Sequence, residues 1–179
     1  MSDPESRRAV FLDRDGVLNE VVFRDNRPGS PRSLEEFRLY EGLGRPLERL
    51  REAGFRLFVV SNQPDVARLL LSNETLMACN QIVQDALPIE GFKVCLHDDR
   101  DGCACRKPRP GMLVNLAVTE QINLGGSYVI GDTWKDSLAA RAAGCVSVIL
   151  DRAYNREDPA DFRVPDMAAA ADLILARVA

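Results

Sequence analysis

The sequence predicts an α/β fold: a doubly wound, mainly parallel sheet of five strands with helices on both faces. Three observations carry that expectation. Five short, almost continuous apolar runs, residues 9–12, 57–60, 92–96, 128–130 and 146–150, have the composition of strands buried on both faces. Helical patterns fall between them, near 43–53, 64–87, 111–122 and 135–143, with a last one over 167–179. Such alternation needs crossover connections and therefore parallel pairing. Polar residues gather just after the runs, where an open α/β sheet places its ligands.

The first run leads into Asp13, Arg14, Asp15 and Gly16. Side chains two apart leave a strand on the same side, so both carboxylates can be aimed at one point while Arg14 turns elsewhere. Two like charges so close are costly unless a cation lies between them or one stays protonated. Gly16 lets the chain turn sharply where the acidic site opens. Residues 21–42, which include Arg24, Arg27, Pro28, Gly29, Pro31 and Arg32, show no sustained period and are expected to form a long loop. The second run ends in Ser61-Asn62-Gln63-Pro64, a hydroxyl and two amides ahead of a proline suited to the first turn of a helix. Free N–H groups at that helix start would form an anion site.

After the third run, Cys95 and His97 are followed by Cys103 and Cys105, so the only histidine and three of the five cysteines fall within eleven residues. Cys₃His is a closed, structural zinc set. It is expected to pin the loop that leads into Arg106-Lys107, with Asp98, Asp99, Arg100 and Asp101 solvated. Cys79 and Cys145 are expected as buried small hydrophobes. The fourth run ends in Gly131-Asp132, with Asp136 four residues on, and residues 151–165 read as an irregular surface connection.

If Asp13 and Asp132 share one ion, the first and fourth strands must be neighbours. The predicted strand order is then 5-4-1-2-3, with Ser61 facing the same crevice. Oxygen ligands favour magnesium. Phosphoryl transfer to an aspartate fits this set. Magnesium and Lys107 would neutralise the two anionic partners, while Ser61 and backbone N–H groups would hold the equatorial oxygens. Asp15 would supply a proton to the leaving alkoxide and then act as base toward water.

A length of 179 residues, 46% apolar and 28% charged, with a net charge of −4, suits one domain spanning 1–179 with no membrane or nucleic-acid surface. The polar start, residues 2–8, has no apolar core of a leader, and no run reaches a membrane span, so the cytoplasm is expected. The gaps between motifs leave no room for a separate cap domain. A non-enzymatic receiver-like domain would need an acceptor aspartate after the third strand, where the cysteine cluster stands. A nucleic-acid 3′-phosphatase would want a basic groove, for which Arg24, Arg27 and Arg32 are the candidates in the first loop.

FLDRDG, VVSNQ, CRKPRPGM and GDTWKD, in this order and spacing, resemble the four motifs of the haloacid-dehalogenase (HAD) phosphatase superfamily. The resemblance implies a Rossmann-like HAD fold and a phosphoric monoester hydrolase. It implies Asp13 as nucleophile and Asp15 as acid and base with its backbone carbonyl on magnesium. Ser61 and Lys107 would hold the phosphoryl group, Asp132 would bind magnesium, and Asp136 would act through water or Lys107. The zinc loop is similar to that of the branch containing heptose 1,7-bisphosphate 7-phosphatases and histidinol-phosphate phosphatases, the heptose pattern being nearer. By that resemblance Arg106, Val21, Val22, Phe23, Arg24, Asn62, Gln63 and Pro64 contact a small phosphorylated sugar in carbohydrate metabolism; a monomer is expected. The chain departs from the heptose pattern in lacking Gly-Tyr-Val in the first loop, and at Leu69 and Thr133.

Overall fold

The computed structural model describes residues 7–178; Ala179, where the last helix was expected to end, and most of the polar start lie outside them. In chain order the elements are β1 (Arg8–Leu12), β2 (Val22–Arg24), β3 (Arg27–Gly29), α1 (Gly44–Glu52), β4 (Phe55–Asn62), α2 (Asn73–Ala86), β5 (Gly91–Cys95), α3 (Gly111–Glu120), β6 (Tyr128–Gly131), α4 (Trp134–Ala143), β7 (Val146–Leu150), β8 (Phe162–Val164) and α5 (Met167–Ala176). Six strands form one parallel sheet in the order β5-β4-β1-β6-β7-β8. The five expected strands stand in the expected order.

Alternation along β1 explains the layers. Val10 and Leu12 point to one face, where they join Leu57, Val59, Ile130 and Val148 beneath Leu47 and Leu50 of α1 and Ala170 and Ile174 of α5. Ala9 and Phe11 point to the other, with Val60 and Val129 beneath Met112, Leu113 and Leu116 of α3 and Ala139 and Ala140 of α4. Each large side chain buried this way contributes about 1.5–3 kcal/mol of transfer free energy. The register places Leu12 opposite both Val59 and Ile130. Asp13, whose N–H donates to Ile130 O at 2.9 Å, therefore leaves the sheet beside Gly131-Asp132 and one strand away from Ser61.

Four expectations are corrected. The sheet has a sixth strand: β8 pairs with β7 inside what reads as an irregular connection. Residues 21–42 contain a short antiparallel hairpin, β2–β3, with Asp25 and Asn26 both at positive φ in its turn. The second helix starts at Asn73, capped by the Ser72 side chain, and not at Pro64. Residues 64–69 make tight turns, and Leu69, at φ 59°, breaks any helix there, so the expected helix N-terminus beside Ser61 is absent. The last helix ends at Ala176. No helix of the described residues is long and apolar enough to cross a membrane.

Candidate active site

Parallel pairing delivers the motif residues to one edge of the sheet. Lys107, reached from the cysteine loop, is buried between two carboxylates: its Nζ lies 2.9 Å from Asp13 Oδ2 and 2.6 Å from Asp136 Oδ1. It also donates to Val60 O at 2.9 Å, so all three ammonium hydrogens are used. Desolvation would lower its pKa, but the two carboxylates outweigh that and hold the ammonium charged. Asp136 is fully buried and also accepts from Thr133 N–H and Oγ1, capping α4. Asp136 therefore acts on Lys107 and on its own helix. Close approach is built in here, since a Cβ at Gly131 would fall 2.2 Å from Asp136 Cβ.

Asp13, Asp132 and Asp136 each present an oxygen within 4.8 Å of the others. Three carboxylates face one ammonium, and the excess charge shows. Burial pushes Asp132 up to about 7, with Asp136 adding to it. Burial also raises Asp13 well above the ordinary value; Lys107 opposes this, while Asp136, Asp132 and Asp15 reinforce it. An all-oxygen set with surplus negative charge fits a hard divalent cation between Asp13 and Asp132. Gly16, at φ 80°, leaves the room: a Cβ there would lie 2.0 Å from Asp132 Oδ2.

Asp15 sits in a different environment. Its Oδ1 accepts from Arg14 Nε and Nη2 (3.2 and 3.0 Å) and from Asn19 Nδ2 (3.0 Å), and its Oδ2 from Ser30 Oγ (2.6 Å) and Gln63 Nε2 (2.7 Å). Burial would raise its pKa, but the Arg14 charge and the Ser30, Asn19 and Gln63 hydrogen bonds win, leaving it below the usual carboxylate range. Arg14 is 1% exposed, fixed by Asn80 and the Phe37 ring. Its guanidinium thus folds back onto its own neighbour.

A cavity of about 630 Å³ opens onto Asp13, Asp15, Lys107 and Asp132. Val21, Arg24, Asn62, Pro64 and Arg106, candidates for substrate contact, line it. Val22, Phe23, Gln63 and Ser61 are not among its lining residues. Ser61 is buried with its Oγ taken by Gln63 Nε2 at 2.9 Å, and the Phe23 ring packs on Tyr154. The cavity wall is completed by Arg32, Asp65, Arg68 and Asp99, which lie outside the four motifs. Arg32 pairs with Asp65 at 2.7 Å, Arg68 joins Asp65 to Asp98, and Arg106 pairs with Asp99 at 2.7 Å. Asp99, Arg100 and Asp101 are exposed, as the sequence reading expects, and Asp98 is half-buried; Asp98 and Asp99 are in addition ion-paired. Tyr154 and Asn155 were also missed; their contacts with Asp132 span more than twenty residues and leave no local signal.

Cys95, His97, Cys103 and Cys105 also converge, with ligand atoms within 4.8 Å of one another. Their sulfurs lie 3.2–3.7 Å apart, and His97 Nδ1 is 3.3 Å from Cys105 Sγ. A tetrahedral ion with metal–sulfur bonds of about 2.3 Å would set sulfur separations of about 3.8 Å, close to this arrangement. The cluster can hold a metal. Gly111 closes the loop behind it, because a Cβ there would meet Ala104 O at 2.3 Å.

Comparison with known proteins agrees with this geometry. A HAD-hydrolase-like family model matches residues 104–176. The D-glycero-β-D-manno-heptose-1,7-bisphosphate 7-phosphatase of Bordetella bronchiseptica is 31% identical over 94% of this chain and 98% of its own length. That of Rhodopseudomonas palustris is 35% identical over 77% of this chain and 80% of its own, and the α-anomer enzyme of Mycobacterium tuberculosis is 35% identical over 78% and 77%. The crystal structure of the B. bronchiseptica D,D-heptose 1,7-bisphosphate phosphatase with magnesium and phosphate superposes with a TM-score of 0.78 at 29% identity, covering 96% of this chain and 99% of that one. The chain belongs to the HAD-superfamily phosphatases, in the family of the heptose 1,7-bisphosphate 7-phosphatases.

Proposed function

We propose that this phosphomonoesterase works through an aspartyl-phosphate on Asp13 and removes the 7-phosphate of a D-glycero-D-manno-heptose 1,7-bisphosphate. Magnesium held by Asp13, Asp132 and the Asp15 backbone carbonyl would supply charge neutralisation where the phosphoryl group meets the carboxylate. Lys107 opposes the effect of burial on Asp13 and holds its carboxylate in place, 2.9 Å away. An Asp13 oxygen attacks phosphorus, the bond to the sugar oxygen breaks, and that oxygen takes a proton from Asp15. Asp15 is ionised in the free site, and the anionic phosphoryl oxygens brought by the substrate favour its protonated form. In the second half, Asp15 takes a proton from water as the water oxygen attacks phosphorus, which frees Asp13 and inorganic phosphate.

The observation that carries the substrate class is the surplus of cations. Lys107 is committed to Asp13 and Asp136 and Arg106 is paired with Asp99, yet Arg27 and Lys135 line the same cavity with no salt bridge among the described residues. That surplus suits a substrate with a second anionic group. The relatives' substrates, heptose 1,7-bisphosphates of either anomer, support a heptose bisphosphate. Zinc in the Cys₃His cluster would be structural, and its thiolates suit a reducing cytoplasm, where we place a single-domain, monomeric enzyme. A panel of both heptose bisphosphate anomers, histidinol phosphate, other sugar phosphates and a 3′-phosphorylated oligonucleotide tests the assignment. A heptose bisphosphate is expected to give the highest kcat/KM, at least about tenfold above any monophosphate. Histidinol phosphate or the oligonucleotide leading the ranking would overturn it.

A further inference from the structure

Residues 151–158 carry no recognisable motif, yet they build one wall around Asp132. Tyr154 Oη donates a hydrogen bond to Asp132 Oδ2. Asn155, 1% exposed, donates from Nδ2 to Asp132 O at 2.7 Å and Leu150 O at 2.8 Å, which ties the turn to the ends of β6 and β7. Arg152 donates from Nε and Nη2 to Gly16 O at 3.0 and 2.8 Å, which ties the same turn to the loop after β1. The Phe23 ring of the β2–β3 hairpin meets the Tyr154 ring edge-on, centroids 5.9 Å apart at 66°. The phenol is thus fixed from both sides, and the absent side chain of Gly16 gives it access, since a Cβ there would fall 2.7 Å from Tyr154 Oη.

We propose that Tyr154 is a positioning residue for the divalent-cation site, its hydroxyl holding Asp132 Oδ2 so that Oδ1 is presented to the ion. The proposal rests on the magnesium reading above. A metal-bound carboxylate needs a partner for its second oxygen, and losing such a partner typically costs 10–100-fold in metal affinity or activity. The bland alternative is that Tyr154 merely fills space beside Phe23. Tyr154→Phe separates the two, because it keeps the ring and removes the hydroxyl alone.

The test is Mn²⁺ binding to zinc-replete protein freed of Mg²⁺ by gel filtration, followed by electron paramagnetic resonance with Mg²⁺ competition, on wild type and Tyr154→Phe. The variant is expected to bind both ions about tenfold more weakly. Its Mg²⁺-free melting temperature should stay at the wild-type value. In turnover the Mg²⁺ activation constant should rise by the same factor, while kcat at saturating Mg²⁺ and substrate KM stay near wild type. Equal dissociation constants in the two proteins would overturn the proposal and leave the magnesium reading standing. A wild-type protein that binds neither ion would overturn both.

Discussion

At the residue scale, the site separates two aspartates two positions apart by what surrounds each. Asp15 is held ionised by Arg14 and three neutral donors, whereas Asp13 and Asp132 are pushed the other way by burial and by Asp136. The consequence for stability has a definite sign. In the Mg²⁺-free protein Asp132 has a folded pKa of about 7 against an ordinary 3.8, so its contribution is fully present below about pH 4 and lost as pH rises through 7. Asp15 acts oppositely, its contribution being present above the ordinary value and lost as pH falls. Zinc-replete protein freed of Mg²⁺ should therefore melt at a lower temperature at pH 8 than at pH 5. Added Mg²⁺ should recover the difference at pH 8 and do little at pH 5. Calorimetry at both pH values checks this; equal melting temperatures without Mg²⁺, or equal Mg²⁺ effects, would contradict it.

At the scale of elements, the cysteine loop does two things. It brings Lys107 to Asp13, and it supplies Asp99, the ion-pair partner of Arg106 on the cavity wall. The loop buries little apolar surface of its own, so metal binding is the natural source of its order. Elemental analysis should find about one zinc per chain. Stripping it with a strong chelator, then restoring Mg²⁺, should lower kcat/KM at least about tenfold and lower the melting temperature. Full activity and unchanged melting without zinc would remove the structural role. Legibility also differed by element. The central strands could be read because each is an apolar run buried on both faces. β8, Phe-Arg-Val, is a half-buried edge strand without that signature, and Arg-Pro-Gly in β3 carries the residues of a turn. Pro64 to Arg68 looks like a helix start until Leu69 takes a left-handed conformation, which sequence does not announce.

At the scale of the whole molecule, the strand order follows from one inference, that Asp13 and Asp132 share an ion; the order with β1 between β4 and β6 agrees. The acid cluster, Lys107 and the Cys₃His set were legible because each lies in a short motif of chemically unusual residues. Tyr154, Asp65 and the Asp15 contacts of Ser30 and Gln63 were not, because their roles come from contacts that the folded sheet creates between distant segments. Arg14 was misjudged for a related reason: alternation sends it away from Asp13, but its length lets the guanidinium return to Asp15. The proposed catalytic cycle depends on Asp13 attacking phosphorus. The direct measurement is to quench the enzyme with acid during turnover, reduce with borohydride, and map the modified residue by peptide mass spectrometry. Homoserine at position 13, lost when the substrate is omitted, is the predicted result. Steady hydrolysis with no reducible acyl phosphate, or one at another residue, would contradict it.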